Sequence, residues 1–465
     1  MKKLILLIVL LCVASNAAAQ KQPKPERVYQ LKITPMSPPR PALKYRLVPS
    51  SLDTVGGDAA PLYMIAATQA PTDDALNTQI DHWLSMDIKA LPRQEVDARL
   101  ATAPIGFLFK NFDSAARCEQ CIWPNNYKTQ GFDALLPHLR GMRDGSRIIA
   151  LKARLQMADG DYNAALHTLQ TGLASAHHLA PQSVLIQQLV GANIARRMLD
   201  DVTEWVGSSN APNLYWALAE LPRPFLDSRD TFELERCGLI FSFQQLRDID
   251  KGLTVEQWQA VMQKLPQMLQ WDDGRSEIRK AAQLGPAVLA IRLYPMAKKY
   301  YIDRGMAPAK VEAMPVHQIL AKYLVESFQE EADEVLKWQA LPYWQAAEQM
   351  RVAEEAAKQA QAKGEAGPLG WMVPAVSAAR LNLVNVDRFI ASLQCVEGIR
   401  AYAAVHNGNL PDSLDDLVET PAPLDPVTGK AFAYEVNANV AVLTAAIPFG
   451  GRADQGWRFE ISVAK

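Results

Sequence analysis

Apolar and polar positions along the chain fall into three successive patterns. Between Lys21 and Pro49 the run Val28-Tyr29-Gln30-Leu31-Lys32-Ile33 alternates, which places Tyr29, Leu31 and Ile33 on one side of a strand. Around it Pro23, Pro25, Pro35, Pro38, Pro39, Pro41 and Pro49 fix φ and remove amide donors, so residues 20–72 read as a Pro-rich extended arm. From Asp73 to Lys363 the apolar positions recur at helical spacing. Helices are predicted over residues 94–101, 132–157, 162–179, 183–206, 229–249, 255–265, 277–304, 316–337 and 342–362, the second broken near Gly141 to Gly145. Thr254 and Gln257 form a capping-box pattern at the start of the 255–265 helix. Arg351 to Lys363 consists of strong helix formers with little to bury and reads as a solvated extension.

Gly364 to Pro374 carries three glycines and two prolines and is the expected linker, which makes residues 73–363 one helical domain. Residues 375–465 change character. Val386, Phe389, Ile390, Leu393, Val396, Ile399 and Tyr402 define a helix over 380–405, stopped by Asn407-Gly408. A short turn-helix at 410–417, a turn at 425–429 and strands at 431–436, 440–445 and 457–463 follow. The expected fold is mainly α: an irregular helical array with a small C-terminal α+β unit of one long helix and about three antiparallel strands.

The first nineteen residues are read differently. Lys2-Lys3, the apolar run Leu4 to Val13 and Ala17-Ala18-Ala19 form the pattern of a secretory signal peptide cleaved before Gln20. Leu10 and Leu11 precede Cys12 where a lipidated cysteine would follow a small residue, so Cys12 is expected to leave with the peptide. The expected location is therefore periplasmic or extracellular, without stable membrane insertion after cleavage. Composition is that of a globular chain, 49% hydrophobic and 21% charged. With a formal net charge of −2, the chain has no general electrostatic reason to bind nucleic acid.

Cys118, Cys121, Cys237 and Cys395 follow the cleavage site, and in an oxidising compartment they allow up to two disulfides in three connectivities. Cys118-Glu119-Gln120-Cys121 is the most suggestive chemical motif, readable as a structural disulfide, as unpaired thiols or as a redox pair. A zinc site would need two more ligands, and His177-His178 is the clustered imidazole pair. His138, His167 and His317 sit in helical segments and read as packed or solvated side chains. Asp412 suits a short helix N-terminus and Asp425 a type I turn, so Asp412, Asp415, Asp416 and Asp425 read as helix and turn chemistry before Ca²⁺ ligands. Trp338, Tyr343 and Trp344 read as helix–helix core, or as lining for a groove beside Glu330, Glu331, Asp333 and Glu334. No phosphate loop, His-Glu-x-x-His or Gly-x-Ser-x-Gly occurs, and no catalytic residue, metal or cofactor is expected.

Three resemblances add to this reading. Leu151 to Leu173, with Gly160-Asp161-Tyr162 at a turn and Ala165-Leu166 at the helix contact, resembles one tetratricopeptide repeat, which implies a helical hairpin. Tyr402, Leu410-Pro411-Asp412-Ser413-Leu414-Asp415-Asp416-Leu417 and Asp425-Pro426 through Gly429 to Tyr434 resemble the soluble part of type II secretion major pseudopilins. Here the equivalent helix is amphipathic and follows a large domain, so shared local structure is what the resemblance implies. Pro41 to Pro49, Cys121-Ile122-Trp123 and Asp425 to Lys430 are similar to an uncharacterised family of exported bacterial proteins, which implies export without supplying an activity. The expected function is protein interaction or envelope assembly with other envelope or secreted proteins. The alternative is an extracytoplasmic enzyme using thiol–disulfide chemistry at Cys118 and Cys121.

Overall fold

The computed structural model describes residues 27–71, 73–124, 126–181, 183–269, 280–281, 283–363, 366–369, 376–448, 451 and 453–464. The signal-peptide segment, residues 20–26 of the arm and most of the 364–374 linker lie outside the described residues. The strands are β1 Arg27–Ile33, β2 Val55–Asp58, β3 Cys118–Gln120, β4 Ala433–Asn437, β5 Val440–Ala445 and β6 Trp457–Val463. The helices discussed below are α1 Ala59–Ala67, α2 Asp74–Ser85, α3 Arg93–Leu100, α4 Ala103–Ala116, α5 His138–Ala158, α6 Tyr162–His177 and α7 Leu185–Val206. They continue with α8 Val255–Leu269, α9 Pro286–Asp303, α10 Val316–Leu336, α11 Tyr343–Lys363 and α12 Val376–Val405.

The described chain is mainly helical with a small four-stranded sheet, and it separates into two compact units. One unit, the helical unit, holds residues 126–135 and 231–379. The other, the sheet unit, holds residues 27–124, 136–230 and 380–464. Neither is continuous in sequence. The expected arm, residues 136–230 of the expected helical domain and the C-terminal region therefore share one unit.

In the sheet unit the strand order is β1-β6-β5-β4. β4, β5 and β6 are the three antiparallel strands expected of the C-terminal unit. The fourth strand corrects the expectation: β1, read as part of an extended arm, pairs parallel with β6 in unbroken register from Arg27–Trp457 to Ile33–Val463. Burial of Leu31 and Ile33 drives this, since the alternating face predicted for the segment is the face that packs.

Helices α5, α6 and α7 pack on one another, and α1, α2, α3 and α4 pack around α5. The break expected near Gly141 to Gly145 does not occur, and α5 runs continuously through both glycines. Their role is close approach. A Cβ on Gly141 would lie 2.1 Å from the Ala67 Cβ, and one on Gly145 would lie 2.5 Å from the Phe112 ring. Gly141→Ala is expected to destabilise the protein by about 1–3 kcal/mol. Gly106→Ala in α4, which would meet nothing within 4 Å, should instead be neutral or stabilising by up to about 1 kcal/mol. Urea unfolding of both variants checks the contrast, and equal losses would refute the contact argument.

Helix α4 is not among the helices predicted from apolar spacing. Its buried positions Ile105, Leu108, Phe112 and Ala115 nevertheless have helical spacing. The single helix expected over 229–249 is three pieces: Arg229–Arg236, Gly238–Ser242 and a 3₁₀ segment, Gln244–Lys251. A Cβ on Gly238 would lie 2.5 Å from the Phe132 ring, and Phe243 leaves helical geometry at φ −131°. In the helix expected over 277–304, residues 280, 281 and 283 are helical, Gly285 at φ +116° interrupts it, and α9 runs on from Pro286. Residues 277–279 lie outside the described residues.

The capping box at α8 forms as expected: Gln257 N donates to Thr254 Oγ1 at 3.2 Å and Thr254 N to Gln257 Oε1 at 2.9 Å. The core of this unit gathers Leu289, Leu293, Ala297 and Tyr301 of α9 against Ile319, Leu320, Tyr323 and Leu324 of α10.

Candidate functional site

The Cys-x-x-Cys motif lies in the sheet unit, where its setting is decided by a helix end and a strand. Cys118 follows the C-terminus of α4, and its Sγ faces the Ser114 carbonyl of the last helical turn at 3.6 Å. It opens β3, which pairs parallel with β2 across a register irregularity at Gly56-Gly57. Gly57 takes φ +155°, and a Cβ there would meet Cys118 Sγ at 3.7 Å.

This placement is the reverse of a reactive thiol site. A helix N-terminus stabilises a thiolate, whereas the carbonyls at a helix C-terminus oppose one. Both thiols are free and buried. Burial and then the Asp58 carboxylate push Cys118 up, and the same causes push Cys121 up strongly. Residues 118 to 121 follow extended backbone, so their Cα atoms are separated by three strand steps, about 10 Å. A disulfide needs roughly 4.4–6.8 Å. In this conformation Cys118 and Cys121 are not a bonded pair.

Asp58 organises the surroundings. Its Oδ1 caps α1 by accepting from Ala60 N at 3.1 Å and holds the exit of β3 by accepting from Ile122 N at 2.8 Å. The next residue, Trp123, is buried, stacked on His138 with centroids 4.3 Å apart, and donates from Nε1 to the His178 carbonyl at 2.8 Å. Tyr63 lies parallel to Trp123 at 5.8 Å and its hydroxyl meets His178 Nδ1 at 3.0 Å. His138 Nε2 pairs with Gln187 Oε1 at 3.2 Å.

Burial pushes His138 below its ordinary value, and burial with the neighbouring His177 pushes His178 down to about 4. Both imidazoles are neutral at neutral pH. The adjacent histidines do not converge, because His177 Nδ1 pairs instead with the Phe225 carbonyl at 2.8 Å. Among the described residues no group of three or more His, Cys, Asp or Glu is placed to hold a metal ion.

The remaining sequence candidates are dispersed. His167 meets Asp113 at 2.8 Å on a carboxylate that also accepts from Arg117 and Thr171. Against burial, these donors hold Asp113 below the usual carboxylate range. His317 Nε2 pairs with the Leu253 carbonyl at 3.1 Å. Tyr343 is buried while the adjacent Trp344 is 48% exposed, so the aromatic residues of α11 do not line one face. Glu330 pairs with Arg304, Asp333 with Arg236, Glu334 with Lys337, and Glu331 accepts from Gly367 N, which commits the acidic rim to structural contacts.

At the C-terminal turn Ser413, not Asp412, is the cap: Asp415 N donates to its Oγ, and Ser413 N donates to Asp416 Oδ2 at 2.9 Å. Asp425 makes the expected turn, accepting from Val427 N at 2.8 Å, yet it is also buried against Arg388, which donates to it from Nε and Nη2. Tyr434 donates its hydroxyl to the Pro411 carbonyl at 2.9 Å.

Comparison with known proteins gave no match: no family model fits the chain, and no curated protein or solved structure is significantly similar to it. The site must be judged on its own chemistry. Its neutral imidazoles, protonated thiols and stacked rings form a packed polar–aromatic core. Native Cys118 and Cys121 are expected to resist alkylation at pH 8 at least tenfold more than after unfolding, on the order expected for buried thiols.

Their folded values lie above the ordinary thiol value of 9.0, so the native state keeps protons that the unfolded chain loses. Stability from this source is complete below about pH 9 and falls as pH rises above it. A double Cys118→Ala, Cys121→Ala variant should show a shallower slope in melting temperature from pH 8 to pH 11, the remainder coming from groups that burial also pushes up, such as Cys395 and Tyr63. An unchanged slope would show that other groups cause it.

Proposed function

We propose that this chain is an exported, non-enzymatic helical protein that holds other proteins in the cell envelope. One observation carries the reading: α7 packs on α6 as α6 packs on α5, so helix stacking continues beyond a single hairpin. Gly160 turns that hairpin at φ +77°, and Asp161 caps α6 by accepting from Ala164 N at 3.0 Å. A Cβ on Gly172 would lie 2.1 Å from Met198 Sδ, and one on Gly191 would lie 2.9 Å from the Ala176 carbonyl. Small residues at these contacts support a tetratricopeptide-like arrangement, a framework whose common use is protein binding.

Export is inferred from the first nineteen residues, and no helix among the described residues is long and apolar enough to cross a membrane. Thiol–disulfide catalysis draws no support from thiols that burial and a helix C-terminus keep protonated. The test is cross-linking in the native envelope followed by purification of the intact chain. Recovery of the same partner proteins in stoichiometric amount is expected. A chain recovered alone across salt and detergent conditions would refute the binding role, and recovery from the cytoplasm with residues 1–19 intact would refute export.

A further inference from the structure

The sheet of the sheet unit is completed by residues far apart in the sequence. Ser462 Oγ reaches the Leu31 carbonyl across 431 positions, and Ala464 N donates to the Ile33 carbonyl at 2.8 Å. Side chains follow the backbone. The Tyr29 ring stacks on Phe459 at 4.9 Å and lies 5.7 Å from Phe389, while Leu31 and Ile33 are buried.

Just beyond β1 the same segment reaches a buried charge. Arg400 Nε donates to the Thr34 carbonyl at 3.2 Å, Met36 N donates to the Arg400 carbonyl at 3.2 Å, and Asn213 Nδ2 donates to the Met36 carbonyl at 3.1 Å. Without residues 27–36, the β6 edge would open, Phe459 and Phe389 would lose a covering ring, and the Arg400 Nε would lose its acceptor. β1 is an edge strand paired on one side only, so its removal breaks no other ladder.

We propose that residues 27–36 are a strap that docks on β6 as an acceptor edge and locks the sheet unit in its native packing. The acceptor takes an extended segment with an aromatic ring, Leu and Ile at alternating positions, followed by two free carbonyls for Arg400 and Asn213. Covalent attachment is not required for that recognition, because every contact named is made by the segment itself. The proposal is independent of the protein-binding role above.

The test uses the full chain carrying Leu31→Asp, which places a charge on the buried face of β1, together with a synthetic peptide of residues 27–36. Hydrogen exchange of the β6 amides and of residues 388–400 is read by mass spectrometry. The substitution is expected to raise exchange there by at least about tenfold, the wild-type peptide to restore protection, and the same peptide carrying Leu31→Asp to leave it unrestored. Unchanged protection in the Leu31→Asp chain would overturn the strap. So would a loss that the wild-type peptide does not repair, or repair by both peptides alike.

Discussion

Glu397→Ala is expected to destabilise the sheet unit by about 3–5 kcal/mol, the range for removing one partner of a buried ion pair. Both side chains of the Glu397–Arg400 pair, one turn apart on α12, are 0% exposed. Arg400 Nη1 donates to Glu397 Oε2 at 2.9 Å and to Oε1 at 3.1 Å, while its Nη2 donates to the Ala211 carbonyl at 2.8 Å. Glu397 in turn accepts from Leu214 N at 3.0 Å. Burial pushes the Glu397 carboxyl up, and Arg400 with the Leu214 amide pulls it down.

Truncating Glu397 leaves a guanidinium in the core without its counter-charge and an amide without its acceptor. Replacing both partners, as Glu397→Leu with Arg400→Met, should cost less than Glu397→Ala alone, because no charge is left stranded. Urea unfolding of the single and double variants checks this. A double variant less stable than the single one would show that hydrogen bonds to Ala211 and Thr34, and not charge pairing, dominate.

Asp425→Ala is the second large effect, again about 3–5 kcal/mol. Arg388, fully buried, donates to Asp425 from Nε at 3.0 Å and from Nη2 at 2.7 Å, and its Nη2 also reaches the Ala446 carbonyl at 2.7 Å. The arginine thus ties α12 to the loop that precedes β4 and to the chain after β5. Its guanidinium also lies 5.1 Å from the Trp457 ring. Losing the carboxylate removes the pair and the turn contact to Val427 N together. Ser413→Ala, which removes only the exposed capping box nearby, should cost about 1 kcal/mol. Thermal unfolding of the two variants side by side tests the difference, and comparable losses would mean that Arg388 finds another acceptor.

Asp425 shows how far reading the chain can go. Its turn was legible, since Asp-Pro-x-x-Gly fixes local backbone by contacts within four residues. Its buried partner was not, because Arg388 lies 37 positions away and nothing in either local pattern names the other. The glycines of α5 show the same limit. Gly141 and Gly145 have the local signature of a break, but the helices beside them leave no room for a Cβ, and close packing outweighs their low helical propensity. For the thiols the spacing was visible, while the neighbouring α4 terminus and Asp58, which set their chemistry, come from folding.

What the amino-acid order determines by itself are features whose partners lie within a few residues: helical periodicity in α5 to α12, the Thr254–Gln257 cap, alternation in β1 and the turn-bounded strands β4, β5 and β6. Tertiary structure alone decided that β1 leaves its Pro-rich arm to close a sheet against β6, that Glu397–Arg400 and Arg388–Asp425 carry buried charge, and that Cys118-x-x-Cys121 is core. The physical reason is common to all three. Burial and long-range pairing depend on which surfaces meet, and residue pattern specifies a face without specifying what covers it.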